Sequence, residues 1–200
     1  MIETIQFCGD SFCLDTDDNA WTTILANKLG VVLTGKGKGG TAHEYVFKTF
    51  NPNATYTVIC WTDASRVHVP NRDFDVSSAT AQAYSKPNDS FPVTDKLWPA
   101  ALVYYKYIHN ISYAELRQQR ELYWFDQAVL SQSKTKIIHI FNFKNLYTFT
   151  HGYTFEIPLS TRFKTYGPSN DLYSNHLSHK DNKLLADEVY CKFTDPLLFS

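Results

Sequence analysis

Ile2-Glu3-Thr4-Ile5-Gln6-Phe7-Cys8-Gly9-Asp10-Ser11 is the stretch that decides the fold. Ile2 to Cys8 reads as a short buried strand, and Gly9-Asp10-Ser11 follows it as a tight turn carrying a hydroxyl. Acidic residues and a cap-like Asn19 come next, ahead of a segment with helical apolar spacing. Strand, turn and helix in that order put Ser11 at the carboxyl edge of a sheet. Open α/β proteins bind their ligands at that edge.

Trp21, Ile24, Leu25 and Leu29 recur at helical spacing between Ala20 and Leu29, and Gly30 ends the run. Val31 to Leu33 reads as a short second strand. The glycine-rich turn Gly35-Lys36-Gly37-Lys38-Gly39-Gly40 leads to Thr41, a predicted cap for a helix reaching about Phe50, with Glu44 completing a capping box. Asn51-Pro52-Asn53 breaks that helix, and Tyr56 to Trp61 is rich in strand formers. A long irregular stretch from Thr62 to about Asp95 holds Pro70, Pro87 and Pro92. Loops of this length are functional, often lids, or else insertions without a role in the site. Leu97 to about Leu130 predicts two helices broken near Asn110. Lys136 to Phe141 predicts a fourth strand, Tyr153 to Ile157 a short one, and Asn182 to Val189 a terminal amphipathic helix. Strands alternating with helices predict a parallel sheet covered on both faces, a flavodoxin-like three-layer α/β/α sandwich of four or five strands.

The 200 residues suit one domain, 1–200, with a single sizeable core and the 62–95 segment inserted in it. Apolar residues at 44% against charged residues at 20% mark a globular chain. A net charge of −1 gives no electrostatic case for nucleic acid or for an anionic membrane. The first strand begins at residue 2, which leaves no room for a leader, and no run of 18 apolar residues suggests a membrane span. A cytoplasmic location is the expectation. Cys8, Cys13, Cys60 and Cys191 fit no zinc spacing, so free thiols in a reducing compartment, with no metal and no cofactor, are expected. The 13 Tyr and 14 Phe are enough to line a pocket for sugars or acyl groups as well as a core.

A nucleophilic serine needs a base within hydrogen-bond reach and donors aimed at the developing oxyanion. Three further segments reach the same sheet edge. Gly39-Gly40 lets backbone N–H groups approach a ligand, although GKGKGG also reads as an ordinary flexible turn and is not a P-loop. Cys60-Trp61-Thr62-Asp63 ends the third strand, with Arg66 and His68 close behind; Asp63 also reads as a turn cap and Arg66 as a surface ion pair. Asn175-His176-Leu177-Ser178-His179 lies just before the terminal helix, where a histidine can swing over the sheet edge.

Cys8-Gly9-Asp10-Ser11, the glycine block, the block after strand three and the late His176-Leu177-Ser178-His179-Lys180-Asp181-Asn182-Lys183-Leu184-Leu185-Ala186-Asp187 resemble the ordered blocks of the SGNH, or GDSL, hydrolases. The order covers most of the chain. The resemblance implies that Ser11 is a nucleophile, His176 its general base with His179 as a rival, and the N–H groups of Ser11 and of Gly39 or Gly40 the oxyanion hole. It implies that Asp10 braces the nucleophile turn. Their places at the sheet edge make Asp10, Trp61, Asp63 and Arg66 substrate-binding candidates. Two positions depart from the family pattern. Thr62 stands where an oxyanion-donating asparagine is usual, its shorter hydroxyl still an oxyanion-hole candidate, and Tyr173 stands three residues before the histidine, where an acid is usual. Asp171 can substitute for that acid, or the site is a Ser-His dyad. The resemblance is also to stand-alone viral or bacterial members of the family.

The expectation is a serine esterase acting on a small acyl ester, with an O-acetylated carbohydrate favoured as partner. The alternatives are a weakly catalytic or inactive binder of carbohydrate or another ligand on the same fold and, ranked lower, a nucleotide or flavin protein using the GKGKGG turn. Oligomeric state cannot be read from the sequence.

Overall fold

The computed structural model describes residues 2–14, 17–69, 75–84, 96–163, 173–174 and 176–199. Strands β1 (Thr4–Gly9), β2 (Val32–Gly35), β3 (Tyr56–Trp61), β4 (Lys136–Phe141) and β5 (Tyr153–Thr154) form one sheet in the order β2-β1-β3-β4-β5. Every neighbouring pair is parallel. This is the doubly wound order in which β1 and β3 stand at a topological switch point. β1, β3 and β4 are near-continuous apolar runs because both of their faces are covered.

Side-chain alternation sorts each strand between two layers. Val58 and Cys60 of β3 face one way, toward α1 (Trp21–Leu29) and the terminal helix α7 (His179–Thr194). They pack there with Trp21, Leu25, Leu185 and Val189. Ile59 and Trp61 face the other way, toward α2 (Glu44–Thr49) and α5 (Ile111–Trp124), against Val46, Leu122 and Phe125. The result is the expected α/β/α sandwich. Two helices, α3 (Ser78–Tyr84) and α4 (Leu97–Tyr107), make a small third cluster through Ala81, Trp98 and Ala101. Between β5 and the last strands lies a single turn of helix, α6 (Leu159–Arg162). A short antiparallel pair, β6 (Tyr173–Ser174) and β7 (Leu177–Ser178), precedes α7. Among the described residues, no helix is long and apolar enough to cross a membrane. The four cysteines are free.

Several local expectations change. Thr41 does not cap α2: its hydroxyl bonds Lys38 O and Gly9 O, and the helix starts at Glu44 without a side-chain cap. Asn19 does not cap α1, whose N-cap is Ala20. The 62–95 stretch is not irregular throughout, since it contains α3 and a Val67–Val76 bridge, while 70–74 and 85–95 lie outside the described residues. The terminal helix begins at His179, capped by Ser178, three residues earlier than its apolar pattern indicates. Asn110 does break the helical pair, as the N-cap of α5.

Gly9 closes β1 with φ +141°, and a Cβ placed on it would overlap Cys60 O of β3. Any side chain there strains the backbone and splits the β1–β3 contact. Gly9→Ala is therefore expected to cost more than about 3 kcal/mol of stability in a urea titration.

Candidate active site

Ser11 opens a 3₁₀ turn, Ser11–Cys13, directly off the carboxyl end of β1. Asp10 caps the turn by accepting from Phe12 N at 3.1 Å, and Cys13 N bonds Asp10 O at 3.2 Å. The Trp21 indole closes it from α1, donating Nε1–H to Phe12 O at 2.7 Å. The glycine-rich segment lies along the same turn: Lys38 N bonds Gly9 O at 2.9 Å, and Gly37 N bonds Cys13 O at 3.0 Å. Gly37 is required for that approach, since a Cβ there would overlap Asp10 O. Gly39 flanks the nucleophile candidate, as its Cβ position stands 3.8 Å from Ser11 Cβ, and Gly40 has φ +75°.

His176 reaches the same place from the other end of the chain. It stands in the tight turn between β6 and β7, in the left-handed region at φ +65°. A non-glycine residue held there is a local strain sustained by its surroundings. Asn182, fully buried on α7, supplies part of that support. Its Nδ2 donates to Leu177 O and Ser178 O, and its Oδ1 accepts from Trp21 N at 2.9 Å. The Phe12 ring packs against the imidazole, centroids 5.0 Å apart. His176 Nε2 then lies 2.7 Å from Ser11 Oγ across 165 residues of sequence. Burial lowers the His176 pKa below 6.5; the Asp10 carboxylate opposes this and the Arg66 guanidinium adds to it. A neutral imidazole at neutral pH is a proton acceptor in the right place.

Asp10 has no exposed surface. It accepts from Thr62 Oγ1 at 2.7 Å and from Asn142 Nδ2 at 2.8 Å, in addition to Phe12 N, and Arg66 Nη2 stands 3.9 Å away. Burial raises its pKa, against the pull of Arg66, Thr62, Phe12 N and His176. Two expectations change here. Asp10, a substrate-binding candidate, has no exposed surface on which to meet substrate. Thr62 has a single hydroxyl proton and donates it to Asp10, so it clamps the turn and is not free to serve the oxyanion.

The remaining candidates separate. Trp61 is fully buried in a stack with Phe149 and His139, donating Nε1–H to His139 Nδ1 at 3.2 Å; it is core and not a substrate wall. His139 itself donates through Nε2 to His151 O, and burial holds its pKa down at about 3. Asp63 caps the next turn through Ser65 N. Arg66 bridges the clamp to the glycine segment, with Nη1 3.2 Å from Thr41 O. His68 pairs with Asp75 at 2.8 Å. His179 begins α7 and is not the histidine on Ser11. Asp171 lies outside the described residues. Among the described residues, His43, Glu44 and Glu121 form a cluster of metal-ligand type, but Glu121 already holds His43 Nε2 and has the Arg117 guanidinium 3.9 Å away, which opposes a cation.

Sequence reasoning missed Trp21, Gly37, Asn142 and Asn182 as parts of this site. Asn142 follows a buried strand at the carboxyl edge, the same signal that drew attention to Thr62. Gln118 was also legible as the polar member of the buried Ala114-Gln118-Leu122 stripe; its Nε2 holds Thr62 O at 3.3 Å.

No family model matches the chain, and no curated protein matches it. Among solved structures, it is similar to a carbohydrate esterase whose active site displays divergent catalytic and non-catalytic binding functions. The identity is 11% and the TM-score 0.43, over 99% of this chain and 67% of the other. It is similar too to Est2A, an acetyl xylan esterase from the rumen bacterium Butyrivibrio proteoclasticus, at 10% identity and a TM-score of 0.44, over 96% of this chain and 64% of that one. The chain thus spans about two thirds of the length of each.

Because Arg66 disfavours the imidazolium, Arg66→Gln is expected to raise the His176 pKa. Titrating the His176 Cε1–H resonance by NMR checks the sign, and an unchanged or lower value contradicts it.

Proposed function

We propose that the protein is a serine-type ester hydrolase acting on a small acyl ester, with O-acetylated carbohydrate as the favoured substrate class. The observation that carries this reading is the 2.7 Å contact between Ser11 Oγ and His176 Nε2 at the carboxyl edge of a parallel sheet.

In the proposed reaction, Ser11 Oγ attacks the ester carbonyl carbon while His176 Nε2 takes its proton. The carbonyl π pair moves onto oxygen, where the N–H groups of Ser11 and of Gly39 or Gly40 donate to it. Collapse expels the alcohol, which leaves with the proton from the imidazolium, and Ser11 carries the acyl group. Water then repeats the sequence: His176 accepts one of its protons, its oxygen attacks the acyl carbon, and collapse releases the carboxylic acid and restores the Ser11 hydroxyl. The Asp10 carboxylate favours the charged imidazole, so it steadies the imidazolium at both steps without exchanging a proton. Asp171 is the proposed orienting acid. With Thr62 committed to Asp10, the oxyanion relies on backbone donors. A missing donor of the oxyanion type costs about 3 kcal/mol, roughly a hundredfold in rate, which predicts a modest esterase.

Turnover of p-nitrophenyl acetate tests the reading. Ser11→Ala and His176→Ala are each expected to lose at least ~10³-fold in kcat while keeping the fold. A fluorophosphonate is expected to label wild type and not Ser11→Ala. Equal rates for wild type and Ser11→Ala remove the nucleophile assignment and leave a binding protein. Asp171→Asn separates a triad from a dyad: a loss of ~10²-fold or more marks a triad, and a rate near wild type a dyad.

A further inference from the structure

The segment that carries Thr62 and Arg66 has a second side. Ala64, Ser65 and Val67 form one wall of a cleft of about 450 Å³, and the corner between α4 and α5 forms the other. That volume is in the range of small-ligand sites, about 300–1,000 Å³. Tyr105 Oη fixes the cleft, lying 2.8 Å from Ser65 O and 2.6 Å from Val76 O. The opposing corner presents Tyr104, Tyr113, His109 and Arg117.

Two features of this cleft are not explained by folding. Tyr113 is 67% exposed, an aromatic ring on the rim with little burial to justify it. His109 Nε2 is shielded from solvent and has no hydrogen-bond partner among the described residues, and the shielded Arg117 Nε has only the Glu121 carboxylate, at 3.9 Å and beyond hydrogen-bond reach. Polar nitrogens in that position normally find one. The Arg117 side chain is 36% exposed, and the ion pair with Glu121 engages only its Nε, which leaves the Nη donors to meet an incoming acceptor.

We propose that this cleft binds a neutral oligosaccharide, one pyranose ring lying on Tyr113 or Tyr104 and its hydroxyls meeting Arg117 and His109. Aromatic faces match the C–H face of a sugar ring, and fork-shaped donors match its vicinal hydroxyls. An anionic ligand fits less well, because Glu121 stands 3.9 Å from Arg117 and already faces its charge. The cleft adjoins the candidate active site through α5, where Arg117 lines the cleft and its neighbour Gln118 holds Thr62 O. As a holder of the alcohol part of an ester it rests on the esterase reading above. As a sugar site it stands without that reading.

Calorimetric titration of the whole chain with neutral tetrasaccharides of glucose, xylose and N-acetylglucosamine tests this, with tetragalacturonate as the acidic counterpart. At least one neutral sugar is expected to saturate a single site, and Tyr113→Ala and Arg117→Gln are each expected to weaken it by about tenfold or more. Both variants are expected to keep p-nitrophenyl acetate turnover within about twofold of wild type, since that substrate has no sugar to hold. No saturation by any neutral sugar, or equal affinity in both variants, overturns the proposal. Binding of tetragalacturonate alone overturns the neutral assignment. Sugar binding lost in Tyr113→Ala by a protein that does not cleave p-nitrophenyl acetate keeps the cleft and removes the esterase reading. Cleavage without sugar binding does the reverse.

Discussion

Trp21 commits both of its nitrogens to the candidate site. Its indole N–H holds Phe12 O on the turn that carries Ser11, and its backbone N–H holds Asn182 Oδ1. Asn182 in turn fixes Leu177 O and Ser178 O beside His176. The two ends of the chain are thus registered against one fully buried residue. A free Ser-His pair in solution has no reason to sit at 2.7 Å, because ordering both side chains costs entropy. Here the ordering comes from the α1–α7 layer, whose apolar burial is there for the fold in any case.

Asp10 completes the arrangement across the sheet. Its donors Thr62 and Asn142 follow β3 and β4, so one carboxylate ties together the carboxyl ends of three adjacent strands. Three donors and a nearby guanidinium are what make a fully buried carboxylate tolerable. The same bonds explain why Thr62 does not do the work of the asparagine expected in its place. The position is in use, for holding the turn.

The sheet was legible because β1, β3 and β4 are near-continuous apolar runs between turn signals, and parallel strands covered on both faces look like that. Ser11, His176 and the glycine segment were legible for a related reason, since each is a chemically distinctive residue at a strand or helix boundary. The same uniformity concealed strand parity. In Tyr56–Trp61 the apolar pattern does not say which residues face which layer, and Trp61 was assigned to the crevice when it lies in the α2–α5 core. Asn142 and Asn182 read locally as a loop residue and a helix start. Their partners are 132 and 161 residues away, and no local pattern encodes a bond of that span. Thr41 and Glu44 show the converse failure: a well-formed capping motif yielded to tertiary bonds from Thr41 to the glycine segment.

The strained turn at His176 has a consequence in time. Residue 11 is made 165 residues before residue 176, and the turn that aims the imidazole is held by Asn182, made later still. A chain emerging from the ribosome therefore carries the Ser11 hydroxyl through that whole interval without the His176 imidazole beside it. The pairing forms only when α7 docks on α1, so whatever chemistry the pair performs is withheld until that docking has taken place.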